Sequence, residues 1–92
     1  MEYFVYILYS NNFNKYYIGQ TNNLEKRIKQ HNENEEFNSF TKKYRPWILI
    51  YKESCESKSN ALKLEKYLKS LKNKERIRQY IAGWRSSISG GS

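Results

Sequence analysis

The chain has 92 residues, enough for one folded domain and too few for a second independent core. Its formal net charge of +8 predicts an acidic partner, either nucleic acid or an anionic surface. No apolar run approaches the roughly 20 residues of a membrane-spanning helix, and the first residues lack the basic segment of a signal peptide. The single cysteine excludes an internal disulfide and a cysteine-cluster zinc site. We therefore expect a reduced cytoplasmic protein. We also expect that it binds no membrane.

The first predicted strand covers residues 2–10, where apolar side chains occupy both alternating sets of positions. Such a strand is usually central in its sheet and covered on both faces. Residues 11–14 are rich in turn formers and residues 15–20 predict a second strand, so the pair forms a hairpin. Since side chains repeat every second residue, Tyr6 and Tyr17 share one face of that hairpin.

Alternation alone leaves the hairpin register open. With Tyr9 opposite Tyr16, Tyr6 lies opposite Gly19. A shift of the register by two residues would still leave Tyr6 and Tyr17 on one face of the sheet.

The first helix is predicted to begin near Asn22, which forms a capping-box-like start with Glu25, three positions later. It runs to about Asn34, and Leu24 and Ile28 lie on its core face.

The next segment, residues 35–45, is expected to be a loop that Pro46 closes. Residues 47–53 predict the third strand. Ser57 is the expected N-cap of a long helix that follows the third strand. The apolar stripe of that helix has helical spacing and consists of Ala61, Leu64, Leu68 and Leu71.

Asn73 is a predicted break, after which residues 74–84 form a last helix that docks through its apolar side chains. Those side chains are Ile77, Ile81 and Trp84. Residues 85–92 are expected to be a flexible tail. The fold class is therefore α+β, with a three-stranded antiparallel sheet flanked by helices in the order β-β-α-β-α-α and one domain over residues 1–84.

The second half of the chain carries most of the positive charge. Residues 57–85 contain nine Lys or Arg and two Glu. A solvated helix surface is the simpler interpretation, but few of these charges have acidic partners at helical spacing, which favours a phosphate-facing surface. The candidate nucleic-acid-binding residues are Lys63, Lys66, Lys69, Lys72, Lys74 and Arg76.

Arg27 and His31 lie four positions apart and therefore on the same helix face. They are either an exposed surface pair or a pair suited to phosphodiester chemistry. In the second case the guanidinium would stabilise phosphate charge and the imidazole would exchange a proton.

Glu65 borders the apolar stripe of the long helix, where a carboxylate is costly unless it is paired or holds a cation. A salt bridge to a basic neighbour is one explanation and a ligand to Mg²⁺ is the other. Tyr6 and Tyr17, taken singly, read as core residues.

Six segments of the chain carry a family resemblance. They are Phe4-Val5-Tyr6-Ile7-Leu8, Tyr16-Tyr17-Ile18-Gly19-Gln20-Thr21, Leu24 with Arg27 and His31, Phe40-Thr41-Lys42-Lys43, Pro46-Trp47 with Leu49 and Tyr51, and Ala61 with Glu65. Over about residues 3–82 they resemble the GIY-YIG nuclease family, in its small single-domain branch. The branch is similar to the nuclease domain of the bacterial excision-repair incision subunit and to GIY-YIG homing endonucleases.

The resemblance implies a metal-dependent endonuclease that hydrolyses DNA phosphodiesters. We expect it to be structure- or strand-selective, and RNA stays open as an alternative substrate. It gives Tyr6 a part in water activation, Tyr17 the positioning of water or phosphate, and Arg27 the stabilisation of the pentacovalent phosphate. It makes His31 a proton acceptor and Glu65 the ligand of Mg²⁺ or Mn²⁺.

Two positions depart from the family pattern. Val5 stands where the first tripeptide has glycine, and Ile77 stands where many members have an asparagine. The alternatives to a nuclease are a nucleic-acid-binding module of the same fold that cuts weakly or not at all, and a protein-interaction domain. As a nuclease the chain would act as a monomer or weak dimer, with a protein partner as one source of specificity.

Overall fold

The computed structural model describes residues 2–34 and 39–89, with side chains through Arg85. The elements in chain order are β1 (Tyr3–Ser10), β2 (Lys15–Thr21), α1 (Leu24–Glu33), α2 (Ser39–Lys43), β3 (Ile48–Cys55), α3 (Lys58–Ser70) and α4 (Lys74–Ser89). The predicted α+β class with a three-stranded antiparallel sheet is confirmed. Within the described ranges, no helix is long and apolar enough to cross a membrane.

The sheet has the order β2-β1-β3, so β1 is its central strand. Residues 5–8 of β1 are fully buried, which explains why both alternating sets of that strand are apolar. The hairpin adopts the register with Tyr9 opposite Tyr16 and Tyr6 opposite Gly19. The pairing of β1 with β3 shifts register between Ile7 and Leu8.

Helices cover both faces of the sheet. On one face the buried side chains of β1 and β3 pack against α3 and α4; this cluster comprises Val5, Ile7, Tyr51, Ala61, Leu68, Ile77 and Ile81. On the other face, a second cluster contains Tyr6, Leu8 and Trp47, with Tyr17, Leu24, Ile28, Tyr44 and Leu49 packed around it. The predicted core faces of the helices are therefore confirmed, and Tyr6 lies on the side that α1 covers.

Helix α1 begins one residue later than the sequence pattern predicts. Its cap is Asn23, whose Oδ1 accepts from the Lys26 backbone N–H at 3.1 Å, so the expected capping pair of Asn22 and Glu25 is wrong. Strand β2 continues through Thr21, and Thr21 Oγ1 accepts from the Asn23 N–H at 3.1 Å. The turn formed by Thr21 and Asn23 therefore places Asn23, and not Asn22, at the cap position.

The expected loop over residues 35–45 is wrong where α2 forms, at Ser39–Lys43, and residues 35–38 lie outside the described residues. Helix α2 is held by a tertiary contact, since the buried indole N–H of Trp47 donates to the Thr41 carbonyl at 2.7 Å. Five residues are too few to form a stable helix alone, so sequence propensity gives no signal for it.

The C-terminal elements follow the predictions, with one difference. Ser57 caps α3 by accepting from the Asn60 N–H at 3.2 Å, and Asn73 starts α4 by accepting from the Glu75 N–H at 2.8 Å. Helix α4 continues to Ser89, so residues 85–89 are helical where a flexible tail was expected, and residues 90–92 lie outside the described residues. No glycine or proline interrupts the chain between Trp84 and Ser89.

Candidate active site

The centre of the candidate site is a buried hydrogen bond between Tyr6 and His31. The Tyr6 hydroxyl and the His31 Nε2 are 2.8 Å apart, and both side chains are fully buried. Strand β1 supplies the tyrosine from the middle of the sheet and α1 supplies the histidine from its last turn. The sole histidine of the chain is therefore not an exposed surface residue.

Tyr17 completes a cluster of three rings. Its centroid lies 4.6 Å from that of His31 and 6.4 Å from that of Tyr6. This confirms that the two tyrosines share one face of the sheet, as strand alternation predicts.

Gly19 allows this cluster to close because it lies directly opposite Tyr6 in the hairpin. A Cβ atom at this position would lie 2.6 Å from the Tyr6 hydroxyl oxygen and 3.2 Å from Cε1 of Tyr17. The backbone must therefore be bare at the point where the Tyr6 hydroxyl rests against β2.

Arg27 and Glu65 both act on the Tyr6 hydroxyl. Burial raises the pKa of Tyr6 most, and the neighbouring Tyr17 raises it further. The Arg27 charge and its side-chain hydrogen bond lower that pKa, whereas Glu65 raises it. The net effect is a pKa well above the ordinary tyrosine value, so Tyr6 keeps its proton at neutral pH. The other four predicted site residues thus all lie within contact or electrostatic range of Tyr6.

His31 is held in its neutral form. Burial lowers its pKa from 6.5 to about 4, and the positive charges of Arg27 and Arg45 act in the same direction. At pH 7 the pair is a neutral phenol and a neutral imidazole, and His31 Nε2 can accept a proton from Tyr6.

The lowered pKa of His31 predicts a pH-dependent stability. Between pH 6.5 and pH 4 the unfolded chain binds more protons at this residue than the folded chain does. The free energy of unfolding should therefore be nearly constant above pH 6.5 and fall on acidification, by about 2 to 3 kcal/mol at pH 4.5. Urea unfolding at pH 7 and at pH 4.5 measures this. In His31→Gln, which can still accept from Tyr6, the decrease should be smaller; an equal decrease in both proteins would contradict the assignment.

Glu65 forms the salt bridge that the sequence left open as its alternative role. Its Oε2 lies 3.0 Å from the Lys69 Nζ, and the Glu65 side chain is 16% exposed against 59% for Lys69. Among the described residues, no group of three or more His, Cys or acidic side chains could hold a metal ion. A single carboxylate nevertheless suits Mg²⁺, which is commonly held by one or two carboxylates, substrate phosphate and water. This carboxylate fits a hydrated hard cation better than a closed zinc site, which needs four protein ligands.

Lys69 connects this carboxylate to a groove beside the three rings. The groove has a volume of about 350 Å³ and opens between β2, α2 and the helices α3 and α4. Its lining residues are Tyr16, Tyr17, Ile18, Phe40, Leu68, Lys69, Lys72 and Ile77. Of the six predicted phosphate-binding residues, the structure brings Lys69 and Lys72 to this groove and Lys66 beside Glu65. Lys63, Lys74 and Arg76 are exposed on α3 and α4.

Arg45 is a supporting residue that the sequence did not reveal. Its Nε donates to the His31 carbonyl at 2.6 Å and its Nη2 donates to the Asn34 carbonyl at 2.6 Å. A guanidinium there satisfies the free carbonyls at the end of α1 and complements the helix dipole. It thereby fixes the turn that carries His31. A lone arginine before Pro46 gives no sequence signal for this role.

Asn32 is the second supporting residue. Its side-chain amide pairs with the Trp47 backbone in both directions, donating to the carbonyl at 3.1 Å and accepting from the N–H at 2.7 Å. This pairing joins the end of α1 to the start of β3.

The family of the chain follows from its match to a family model. The model of the GIY-YIG catalytic domain matches residues 2–81. The chain belongs to the GIY-YIG family.

Relatives of this GIY-YIG chain include bacterial UPF0213 proteins. The chain is similar to one from Bacillus velezensis, at 40% identity over 94% of this chain and 84% of the relative. It is also similar to one from Staphylococcus haemolyticus, at 34% identity over 84% of this chain and 92% of the relative. The names of these relatives state no activity.

A solved structure resembles the GIY-YIG fold described above. It is the solution NMR structure of the UPF0213 protein BH0048 from Bacillus halodurans, with a TM-score of 0.56 and 27% identity. The similarity covers 89% of this chain and 84% of that one.

The two residues that depart from the GIY-YIG pattern, Ile77 and Val5, are both buried in the core. Ile77 is only 6% exposed and belongs to the core that α4 forms with the sheet. Asn73 caps α4 through its side chain, so it does not replace the missing amide. Val5 is fully buried on the face opposite Tyr6.

Proposed function

We propose that this GIY-YIG chain is a divalent-metal-dependent endonuclease that hydrolyses phosphodiester bonds of DNA. The observation that carries the proposal is the buried Tyr6–His31 hydrogen bond of 2.8 Å, next to Arg27 and at the edge of a lysine-lined groove. A structural core has little use for a neutral imidazole bonded to a phenol beside an arginine and a carboxylate.

The proton path of the proposed reaction uses the two neutral groups. As water attacks phosphorus, its proton passes to the Tyr6 hydroxyl oxygen while the Tyr6 proton passes to His31 Nε2. A histidine with a pKa of about 4 is available as an acceptor at neutral pH but is a weak base. The negative charge of a bound phosphate would raise that pKa and favour the transfer.

Arg27 is proposed to stabilise the negative charge that builds up on the phosphate during attack. Its guanidinium already lies within hydrogen-bonding range of Tyr6, so it would face the phosphate on the side of the attacking water. Tyr17, stacked beside His31, would position the phosphate or the water.

Glu65 would hold the metal ion. When no metal ion is bound, Lys69 neutralises the Glu65 carboxylate. A Mg²⁺ or Mn²⁺ ion at this carboxylate would supply Lewis-acid polarisation of the phosphate and charge stabilisation at the leaving oxygen. Lys69 lines both the groove and the surface next to Glu65, so it could move from the carboxylate to a substrate phosphate.

The second candidate function is a nucleic-acid-binding module that cuts weakly or not at all. Two observations favour it: the Glu65–Lys69 ion pair occupies the metal carboxylate, and the core residue Ile77 replaces the family amide. It predicts binding that weakens steeply with salt and survives loss of the carboxylate.

A cleavage panel separates these functions. Single-stranded, forked and duplex oligonucleotides are incubated with Mg²⁺, with Mn²⁺ and with EDTA. The nuclease should produce nicks or cuts with either metal and none with EDTA. Salt-sensitive binding with no product at any metal concentration would establish the binding module instead.

Arg27→Ala should lower the cleavage rate by about 10²- to 10³-fold, because a preorganised donor to the developing phosphate charge is lost. The matched control is Lys29→Ala, which removes one positive charge from an exposed position of the same helix. Its effect should be confined to a modest loss of binding that is largest at low salt. Single-turnover rates at saturating protein measure the difference, and equal rates for the two variants would rule out the proposed role of Arg27.

A further inference from the structure

The strongest feature outside the candidate catalytic residues is a set of aromatic rings on the surface beside them. Phe13 is 49% exposed and Phe40 is 42% exposed, although both are large apolar side chains. Each packs against Tyr44 edge to face, with centroid distances of 5.3 Å for Phe13 and 4.9 Å for Phe40. We call these three rings the aromatic platform. Isolated exposed apolar residues are ordinary, whereas a contiguous exposed group indicates a binding surface.

The platform is held in place by ordered elements. Phe13 lies in the β1–β2 turn, where its N–H donates to the Ser10 carbonyl at 3.3 Å and Asn14 has a positive φ of 52°. The Tyr9 hydroxyl donates to the Asn14 side chain at 3.1 Å and fixes the turn further. Phe40 projects from α2, which Trp47 anchors through the Thr41 carbonyl. The rings are therefore presented to solvent in a defined position.

Positive charge borders the platform. The Lys15 Nζ lies 5.4 Å from the centroid of the Tyr44 ring and the Lys43 Nζ lies 5.6 Å from it. On the other side, Phe40 lines the groove that contains Lys69 and Lys72. Exposed rings with lysines on both sides match a strand of nucleic acid, whose bases stack on aromatic faces and whose phosphates pair with cations.

The platform is also continuous with the candidate active site. The Tyr17 ring lies 6.3 Å from the Phe40 ring and 4.6 Å from the His31 ring, centroid to centroid. A base on Phe40 would thus sit beside the nucleotide whose phosphate reaches Tyr6, His31 and Arg27.

We propose that the aromatic platform of Phe13, Phe40 and Tyr44 stacks unpaired bases of single-stranded DNA and guides that strand into the candidate active site. The proposal rests on the proposed function for its choice of DNA. Bases of a duplex present their faces to neighbouring bases, so they cannot stack on protein rings without being unpaired or flipped out. The platform therefore selects single-stranded DNA, or the unpaired arm of a fork, over intact duplex.

The test measures binding separately from cleavage. Fluorescence anisotropy in EDTA compares a short single-stranded oligonucleotide, the same strand with abasic sites and its duplex. Phe40→Leu and Phe13→Leu keep apolar bulk and remove the ring face. Each should weaken single-strand binding by about 5- to 100-fold, the usual effect of losing one stacked base, and leave duplex binding unchanged. Wild-type protein should bind the abasic strand as weakly as the variants bind the normal strand.

The matched control is Tyr67→Leu, which removes an exposed ring of α3 whose ring neighbour is Tyr80. It should not alter binding of any oligonucleotide. Equal losses for Tyr67→Leu and Phe40→Leu, or equal losses on single strand and duplex, would overturn the platform. So would wild-type binding that does not distinguish the abasic strand, or that prefers an RNA strand of the same sequence.

The stacking inference and the proposed function can fail separately. If Phe13→Leu and Phe40→Leu change neither DNA binding nor the rate of metal-dependent cleavage, the stacking proposal is wrong and the nuclease proposal stands. If single-strand binding depends on the two rings but no cleavage occurs at any metal concentration, the stacking proposal stands and the nuclease proposal is wrong. Circular dichroism of each variant checks folding, and the exposure of both phenylalanines makes two folded variants the expected result.

Discussion

Glu65→Gln should lower metal-dependent cleavage by about a thousandfold or more while leaving the protein folded. The change keeps the shape of the side chain and removes the negative charge that would hold Mg²⁺, whose Lewis-acid contribution is worth several kcal/mol. The lost ion pair with Lys69 is largely exposed on the lysine side. Such a pair contributes only about 0 to 1 kcal/mol, so the free energy of unfolding should change little.

The chain offers a matched control for this substitution. Glu75→Gln removes the carboxylate of another helical ion pair, with Arg78 at 3.8 Å, on α4. It should leave both cleavage and stability near the wild-type values. Binding of Mn²⁺, followed by electron paramagnetic resonance, gives a readout that does not depend on turnover. Mn²⁺ affinity and cleavage that both survive Glu65→Gln would show that the metal is held elsewhere.

Gly19→Ala should lower cleavage by about a hundredfold, the usual cost of displacing a reacting group by an ångström. The added methyl group would approach the Tyr6 hydroxyl oxygen to 2.6 Å and Cζ to 2.8 Å. Tyr6 is fully buried and rigid, so it must shift away from β2 and strain its 2.8 Å bond to His31. Overpacking of this kind also destabilises the fold by about 1 to 3 kcal/mol.

Gly83→Ala is the control for the loss of a glycine. A Cβ atom there meets nothing within 4 Å, and the position lies inside α4. The substitution should stabilise the protein by up to about 1 kcal/mol, because alanine favours the helix, and leave cleavage unchanged. Urea unfolding and single-turnover rates measured on both variants test the pair. If Gly19→Ala cleaved DNA as fast as Gly83→Ala, the close approach of Tyr6 to β2 would not be needed for cleavage.

Much of the candidate site could be inferred from periodicity alone. Strand alternation places Tyr6 and Tyr17 on one face, and helical spacing places Arg27 and His31 on one side of α1. Both relations are local, so they survive small errors in element boundaries. The one-residue error at the start of α1 changes its cap from Asn22 to Asn23 without moving that face.

The relations that the sequence could not supply join segments far apart in the chain. The hydrogen bond between Tyr6 and His31 spans 25 positions, and the contact of Arg45 with the His31 carbonyl spans 14. The helix α2 exists because Trp47 anchors it, and the ion pair of Glu65 with Lys69 was one of two open explanations until the side chains were placed.

The sequence by itself supplied the resemblance to the family and the order of most elements, because both depend on short motifs and fixed spacings. Through that resemblance it also gave five candidate catalytic residues. Only the tertiary structure decided that His31 is buried and neutral, that Gly19 must be bare against Tyr6, and that surface rings border the candidate site. These properties depend on burial and on distances between elements. A linear pattern carries neither, because both arise when α1, α2 and α3 pack against the sheet.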